Sequence, residues 1–469
     1  MLITQSIQEL SDKLKKGEIT PKELVDEAYA SIKASEGKIN SFITLRDKQD
    51  VLNDLEALPK NTSPLWGIPY VLKDAYTTKG IETTAASNVL KGFVPTYSAT
   101  VYKKLQLAGA VLLGKMNMDA WGHGGSTENT DFGVTHNPWD LTRVAGGSGG
   151  GPAAAIAAGF TTFAIGEDTG GSIRNPAAWT NTTGLKVTYG RVSRYGAIAY
   201  ASSFDTMGPA GRSAADCAYI LSTIAGVDPY DATSAPTPVD DYVGHLNDDI
   251  KGKTIGIPMS LYGKGLDPEI KAAIMVARDQ FASLGAEIKE VDFSIEEASV
   301  GLAACYIISP SETSSNLGRY DGIRFGNDRG NFTDETMRRI MIGTYALSAG
   351  YYDAYYRKAQ KVRTKLIESF NQILSGCDAF IMPVMPTVAT KIGELVSDPL
   401  QNLLADVYTY PINPVGVPSL ALPAGFTKSG LPIGMQLVGK KFSEQLLLNL
   451  GHQYQSVTDW HTRVPILDK

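Results

Sequence analysis

The chain has 469 residues, of which 43% are hydrophobic and 20% charged, the balance of a soluble globular protein with one large core or two to three domains. Its formal net charge of −6 argues against a broad basic surface that would grip nucleic acid. Cys217, Cys305 and Cys377 are far apart and odd in number, which argues against a disulfide framework or a structural zinc site. We expect a cytoplasmic protein without a membrane-spanning segment or a signal peptide.

The first half of the chain alternates predicted helices with buried strands. Residues 1–60 are predicted to be mainly helical, since Thr20, Pro21 and Glu23 have the types and spacing of a capping box with proline at the first helical position. The apolar run "LWGIPYVLKDAY" predicts a buried strand that ends on Lys73 and Asp74. "TVYKKLQLAGAVLLGKMNM" predicts a helix, a glycine break and a second strand, and an alanine-rich helix from Ala153 to Gly159 leads to a strand at "FAIGED".

Residues 226–250, which are rich in Pro, Asp, Ser and Thr, are predicted to be a linker-like surface excursion after a core of about residues 61–225. Beyond it, the pattern predicts helix over 334–375, a last helix near 444–454, and further strands and helices at "KTIGIP", "PEIKAAIMVARDQFASLG", "AEIKEVDF", "AFIMPV", "SLALPAG" and "PIGMQLVG". This alternation is typical of an α/β sheet covered by helices.

Two glycine loops, "GGSGGGP" and "EDTGGSIRNP", each place a serine directly after a pair of glycines. The first is not a phosphate loop, because Pro152 and Ala153 stand where the Lys and Ser or Thr of that motif belong. In the second, the amides of Thr169, Gly170 and Gly171 are unobstructed and could hold an oxyanion at a carbonyl attacked by Ser172.

A serine needs a base, and none of the five histidines lies in this stretch. Lys73 is the candidate, since a lysine at the end of an apolar strand can be held neutral by burial. The alternative is that Lys73 only extends its amine from the strand end to water.

Taken together, the two loops and "GIPYVLKD" resemble the amidase signature family, and the interval between the two serines is the family's. The resemblance implies one domain over 1–469, with a central mixed β-sheet covered by helices on both faces. It also implies a catalytic triad in which Ser172 is the nucleophile, Lys73 the base, and Ser148, on a cis peptide after Gly147, the bridge between them.

Within that family, the blocks "SSNLGRYDGIRFG" and "GYYDAYYRKAQKVR" are most similar to the A subunits of tRNA-dependent amidotransferases. The likeness implies hydrolysis of glutamine to supply ammonia for converting Glu-tRNA(Gln) or Asp-tRNA(Asn), in a complex with B and C subunits. Charged tRNA, ATP and Mg would be bound mainly by the partner, with no cofactor or metal in this chain. Glutamine contacts would be Tyr306, Arg339 for the carboxylate and Asp406 for the ammonium, and Arg338 could exchange roles with Arg339.

The sequence departs from the family pattern at several positions near the two serines. Gly149 replaces a usual second serine, Gly151-Pro152 replaces Gly-Ser, and Asn181 and Val187 stand where Cys and Pro are common. The hydrogen-bond support of Lys73 therefore stays open. Two alternatives also stay open: a free-standing amidase acting on small amides, and a scaffold subunit whose catalysis has decayed.

Overall fold

The computed structural model describes residues 1–59, 62–324, 326–397 and 403–467. Its strands are β1 (Phe42–Leu45), β2 (Pro69–Lys73), β3 (Val111–Met116), β4 (His136–Asn137), β5 (Asp140–Val144), β6 (Phe163–Asp168), β7 (Thr183–Lys186), β8 (Thr206–Gly211), β9 (Thr254–Ile257), β10 (Glu287–Glu290), β11 (Ala379–Pro383), β12 (Ser419–Phe426) and β13 (Pro432–Gly439).

The helices are α1 (Ile7–Lys16), α2 (Pro21–Ile39), α3 (Lys48–Ala57), α4 (Thr100–Leu107), α5 (Gly150–Ala157), α6 (Arg174–Thr180), α7 (Ala214–Ile224), α8 (Pro268–Ser283), α9 (Ile295–Asn316), α10 (Asp334–Leu347), α11 (Lys358–Ser375), α12 (Glu394–Ser397), α13 (Ile412–Val415) and α14 (Glu444–Ser456). Short 3-10 turns and one π-helical turn connect some of them.

One 11-stranded sheet organises the chain, in the order β1-β3-β2-β6-β8-β7-β12-β13-β11-β9-β10. The pairs β2 with β3, β2 with β6, β9 with β10 and β9 with β11 are parallel, and the others are antiparallel. A separate small sheet joins β4 to β5. The sheet is therefore mixed, as predicted.

Helices pack on both faces of this sheet, because alternate side chains of each strand point to opposite sides. On β2, Tyr70 and Leu72 join the larger core together with side chains of α1, α7 and α8. Val71, between them, joins a second core with side chains of α3 and α5. The predicted α/β fold with helices on both faces is confirmed.

The local sequence signals hold for several elements. At the start of α2 the Thr20 hydroxyl accepts from the Glu23 amide while Glu23 reaches back to Thr20, which completes the predicted capping box. The helical stretch predicted over about 334–375 is confirmed for most of its length, but it is divided, since α10 ends at Leu347 and a π-helical turn at Asp353–Arg357 precedes α11. Ser348 ends α10 in an extended conformation, so the chain leaves the helix there.

Residues 226–250 contain no α-helix or β-strand and bury Tyr242, Leu246 and Ile250 in the larger core. Asp228 in the same segment accepts hydrogen bonds from Thr100 and Ser193. The segment thus packs against the sheet domain. Within the part of the chain that the structure describes, no helix has both the length and the apolar character to cross a bilayer.

Candidate active site

The ends of β2 and β6 bring Lys73 to the first glycine loop. Lys73 is the last residue of β2, between β3 and β6, and its side chain is completely buried. Its Nζ lies 2.8 Å from Ser148 Oγ, 3.3 Å from the Glu167 carbonyl oxygen and 3.4 Å from Glu167 Oε2. Lys73 therefore points inward to a serine and does not extend to solvent, which rules out the strand-end alternative.

The first glycine loop holds Ser148 against the second. The peptide between Gly147 and Ser148 is cis, and the Gly149 amide donates to the Ser172 carbonyl oxygen at 3.2 Å. A Cβ atom added at Gly149 would lie 2.7 Å from that carbonyl oxygen, a distance too short for any Cβ contact in a folded protein. Gly149 is thus required by the close approach of the two loops in this structure.

Asp168 organises the turn that carries Ser172. Its carboxylate accepts from the amides of Gly171 at 2.9 Å and Ile173 at 3.1 Å, and pairs with the buried Arg174 guanidinium at 2.9 Å. Burial opposes ionisation, but Arg174, with smaller contributions from Lys186 and Asn413, outweighs it and holds the pKa of Asp168 well below its usual range. The turn is therefore fixed by an ionised carboxylate.

The hydrogen bonds of Asp168 reduce the number of amides available among the three predicted oxyanion donors, Thr169, Gly170 and Gly171. The Gly171 amide already donates to Asp168, so it is not free for a substrate. Thr169 and Gly170 have amides without a protein acceptor among the residues that the structure describes. Of the three predicted oxyanion donors, the amides of Thr169 and Gly170 are therefore the two that lack a protein acceptor in the described chain.

The two glycines of this turn also bring a distant segment close. A Cβ at Gly170 would lie 2.7 Å from the Tyr410 ring, and one at Gly171 would lie 2.6 Å from Thr409 Oγ1. The amides of Thr409 and Tyr410 both donate to the Asp406 carbonyl oxygen. The chain turn that begins at Asp406 therefore packs directly on the turn that carries Ser172.

Asp406 and Tyr306 are in direct contact. The Tyr306 hydroxyl donates to Asp406 Oδ2 at 2.6 Å, and the Arg339 guanidinium lies 5.5 Å from the centre of the Tyr306 ring. Burial raises the pKa of Asp406 to about 6, although the Tyr306 hydrogen bond and the Arg339 charge oppose the rise. Tyr306, Arg339 and Asp406, the three predicted substrate contacts, therefore form one cluster, although Tyr306 and Asp406 are 100 residues apart in the sequence.

Arg338 and Arg339 share one carboxylate but face different surroundings. Both donate to Glu335 at 2.7 Å, and the side chain of Arg339 is 5% exposed whereas that of Arg338 is 35% exposed. Arg338 lines a cavity of about 480 Å³ that Asp119, Glu128 and Glu335 also line. Arg339 packs instead on Tyr306 and donates to the Tyr200 hydroxyl.

Sequence reasoning missed the groups that connect these residues. The Tyr410 hydroxyl lies 2.5 Å from Ser309 Oγ and 3.0 Å from the Tyr200 hydroxyl. Glu167, beside Lys73, was also missed, although an acidic residue at the end of the apolar run "FAIGED" is a signal that a site begins there. For Tyr200 and Tyr410 the sequence offers no comparable signal, since tyrosines are common in cores.

No histidine hydrogen-bonds to either serine within the described residues. His123, which is completely buried, lies between Thr313 and Thr336 at 3.2 Å from each. Burial, together with the Arg339 and Arg338 charges, lowers the pKa of His123 well below its usual range. Lys73 is therefore the group placed to act on Ser148.

Comparison with known proteins agrees with these features. The family model described as Amidase matches residues 23–448. The chain is 47% identical to the A subunit of glutamyl-tRNA(Gln) amidotransferase from Roseiflexus sp. (strain RS-1), over 98% of each chain. Its fold is similar to the crystal structure of the corresponding protein from Thermotoga maritima, with a TM-score of 0.86 and 35% identity over 100% of this chain and 99% of that one.

A third similarity is to a protein whose name describes a different substrate. The structure of 6-aminohexanoate cyclic dimer hydrolase matches with a TM-score of 0.90 and 26% identity, over 100% of this chain and 99% of that one. The family match covers far more than half of the chain, and the resemblance seen in the two glycine loops is thereby confirmed. With a buried lysine bonded to the serine of one loop and a second serine on the other, the chain belongs to the amidase family.

Proposed function

We propose that the chain is the glutamine-hydrolysing subunit of a tRNA-dependent amidotransferase, with Ser172 as nucleophile, Ser148 as proton relay and Lys73 as base. The observation that carries the proposal is a cluster of opposite charges near the turn of Ser172, in which Arg339 is buried, Asp406 is partly buried, and both contact Tyr306. A free amino acid with a side-chain amide presents an α-carboxylate and an α-ammonium, and this pair matches both.

In the first half-reaction, Ser172 Oγ attacks the γ-amide carbon of glutamine. The Ser172 proton passes to Ser148 Oγ, whose own proton passes to neutral Lys73 Nζ across the 2.8 Å hydrogen bond. The charge that develops on the carbonyl oxygen is met by the amides of Thr169 and Gly170. Collapse of the intermediate breaks the C–N bond, and the proton returns through Ser148 to the departing ammonia.

In the second half-reaction, water attacks the glutamyl ester on Ser172. The same relay takes a proton from that water and returns it to Ser172 Oγ, so that glutamate leaves and the enzyme is restored. Ammonia then passes to a partner. The B and C subunits would use ATP and Mg to activate Glu-tRNA(Gln) or Asp-tRNA(Asn), and the tRNA would bind mainly to them.

Recognition of glutamine would rest on residues from α9, α10 and the turn that begins at Asp406. Asp406, already bonded to Tyr306, would take the α-ammonium, and Arg339 would take the α-carboxylate. In the present structure Arg339 is paired with Glu335. Binding of a substrate carboxylate would thus add to, or partly replace, that ion pair.

Removing the charge of Asp406 or of Arg339 is expected to weaken the binding of glutamine more than the binding of an uncharged amide. Asp406→Asn and Arg339→Ala should each raise the KM for glutamine by about 10-fold or more, because a charge-assisted contact remote from the reacting bond is lost. Hydrolysis of a simple amide without α-substituents should change much less. Arg338→Ala is the matched control, and a larger effect from it would assign the carboxylate to Arg338. Equal losses on both substrates would mean that the residues are structural.

The same contact predicts a pH dependence for glutamine. Asp406 must be ionised to bind an ammonium, and a carboxyl group is neutral below its pKa, here about 6. The kcat/KM for glutamine should therefore fall as pH drops through about 6, by more than the fall for an uncharged amide at the same pH. Asp406→Asn should abolish this difference between the two substrates.

A second candidate function is a free-standing amidase, favoured by the TM-score of 0.90 to the 6-aminohexanoate cyclic dimer hydrolase. The two functions are separated by measuring glutamate release by the purified chain alone, with its partner subunits, and with ATP and charged tRNA added. We expect slow release alone and a rise of about 10-fold or more with partners, since docking would favour the active arrangement. Full activity of the lone chain, extending to amides without an α-amino group, would favour the free-standing amidase and overturn the proposed role in a complex.

A further inference from the structure

Glu167 lies next to the lysine of the candidate triad. It occupies the strand β6, beside β2, and its side chain is 2% exposed while that of Lys73 is 0% exposed. Two of its oxygens face Lys73 Nζ, the carbonyl oxygen at 3.3 Å and Oε2 at 3.4 Å. A carboxyl group therefore lies within ion-pair distance of the amine that also bonds to Ser148.

The carboxyl group of Glu167 has little structural use. Its other oxygen, Oε1, is buried without a hydrogen-bond partner among the described residues, and the side-chain hydrogen bond and ion pair of Glu167 there are both with Lys73. Burying a carboxyl group with so few polar partners costs free energy, so the fold gains little from this group by itself. The position of Glu167 is thus explained by what it does to Lys73, and not by packing.

The first glycine loop has no side chain at position 149 that could hold Lys73 Nζ in place of Glu167. Gly149 has no side chain, and a Cβ there would meet the Ser172 carbonyl oxygen. The hydrogen bonds of Lys73 Nζ in the described chain are therefore to Ser148 and to the two oxygens of Glu167. The support of Lys73 that the sequence left open comes from β6.

We infer that Glu167 is a positioning residue for Lys73, holding Nζ towards Ser148. The inference rests on the proposed function. When the Ser172 proton reaches Nζ through Ser148, an ammonium forms in a completely buried position, and the adjacent carboxylate balances its charge. When the ammonium returns its proton to the departing ammonia, the carboxylate keeps Nζ in place for the next step.

The sign of the effect follows from the charges. A carboxylate beside an amine favours the charged amine, so removing the carboxylate charge in Glu167→Gln is expected to move the pH profile of activity to lower pH. Burial raises the pKa of Glu167, and the Lys73 charge opposes that rise. Because the two groups are this close, the activity reports the titration of the pair.

Other ionisable groups also act on this pair. Asp205 accepts from Thr169 Oγ1 at 2.6 Å, and burial, then the Glu167 charge, raises the pKa of Asp205 to about 8. The groups that act electrostatically on Lys73 or Glu167, from the segments packed around them, are Tyr76, Asp119, Asp168, Arg194 and Asp205. These groups are the same in wild type and in the Glu167 variants. A difference in their pH profiles therefore reports the effect of Glu167 alone.

The test measures how fast a small fluorophosphonate labels Ser172 across pH, by intact mass, in wild type, Glu167→Gln and Glu167→Asp. Labelling needs the pair of Lys73 and Glu167 in its proton-accepting form, so the rate rises with pH through a midpoint that belongs to the pair. In Glu167→Gln we expect that midpoint to fall by about one pH unit or more, and the maximum rate to fall about 10-fold. Glu167→Asp, which keeps the charge, should return the midpoint close to wild type. Glu36→Gln, which alters a partly buried carboxyl group that accepts hydrogen bonds from Ser41 and Phe42, is the control.

The outcomes separate this inference from the proposed function. An unchanged midpoint in Glu167→Gln, whether or not the melting temperature falls, would overturn the positioning role. Labelling with the expected shift, but no release of glutamate from glutamine by the wild-type complex, would leave the positioning role standing and overturn the glutaminase. A midpoint shift of the same size in Glu36→Gln would also overturn the role, since it would mean a general effect of lost charge.

Discussion

Ser172→Ala is expected to lower kcat for glutamine hydrolysis by about 10⁴-fold or more, because the ester intermediate can no longer form. Thermal stability should change little. The Ser172 hydroxyl has no protein hydrogen-bond partner among the described residues, and its backbone contact to the Gly149 amide at 3.2 Å does not depend on the side chain. The measurement is glutamate release by the complex, with the melting temperature taken on the same preparations.

A matched serine separates loss of the nucleophile from a general effect of losing a hydroxyl. Ser222→Ala removes a hydroxyl on α7 that bonds to the Ala218 carbonyl, and it should keep normal kcat. Intact mass after reaction with a fluorophosphonate should show one adduct in wild type and none in Ser172→Ala. An adduct that persists in Ser172→Ala would assign the nucleophile to another residue and contradict the proposed mechanism.

Lys73→Met is expected to lower kcat by about 10³-fold or more, since removing the base leaves the Ser172 proton without an acceptor. The apolar side chain suits the buried position, and the Glu167 carboxyl group beside it can take up a proton and become neutral. Lys73→Arg should not restore activity, because a guanidinium stays charged and cannot accept a proton. Initial rates of ammonia and glutamate release, taken together, measure this loss.

The control for Lys73 is Lys104, a partly buried lysine with no part in the proposed chemistry. Lys104 donates to the Ile224 and Ala225 carbonyls at the end of α7, and Lys104→Met should lower the melting temperature while keeping kcat. Near-normal turnover in Lys73→Met would mean that the relay from Ser148 to Lys73 does not carry the proton. The decayed-scaffold alternative predicts that wild type and Lys73→Met are equally inactive.

Much of the secondary structure was predictable because its signals are local. The capping box at Thr20, the end of β2 at Lys73 and the strand β6 depend on neighbours a few residues away. Helix α9, which carries Tyr306, was not predicted, and it contains Pro310 within its length. Close packing against Gly343 of α10, where a Cβ would overlap the Pro310 carbonyl, holds this region in place. That contact is tertiary, so no local sequence pattern predicts it.

The amino-acid sequence alone was enough to predict the α/β fold class and the two loops that carry Ser148 and Ser172, since strand periodicity and glycine spacing depend on consecutive residues. The family followed from the resemblance of those loops and of the Lys73 segment to a known family. The surroundings of those loops became known only from the folded chain. Folding assigned the Gly171 amide to Asp168, required glycine at position 149, and placed Glu167 on Lys73. These outcomes depend on distances between segments that meet only after the sheet has formed, where burial and hydrogen bonding choose among partners that are remote in sequence.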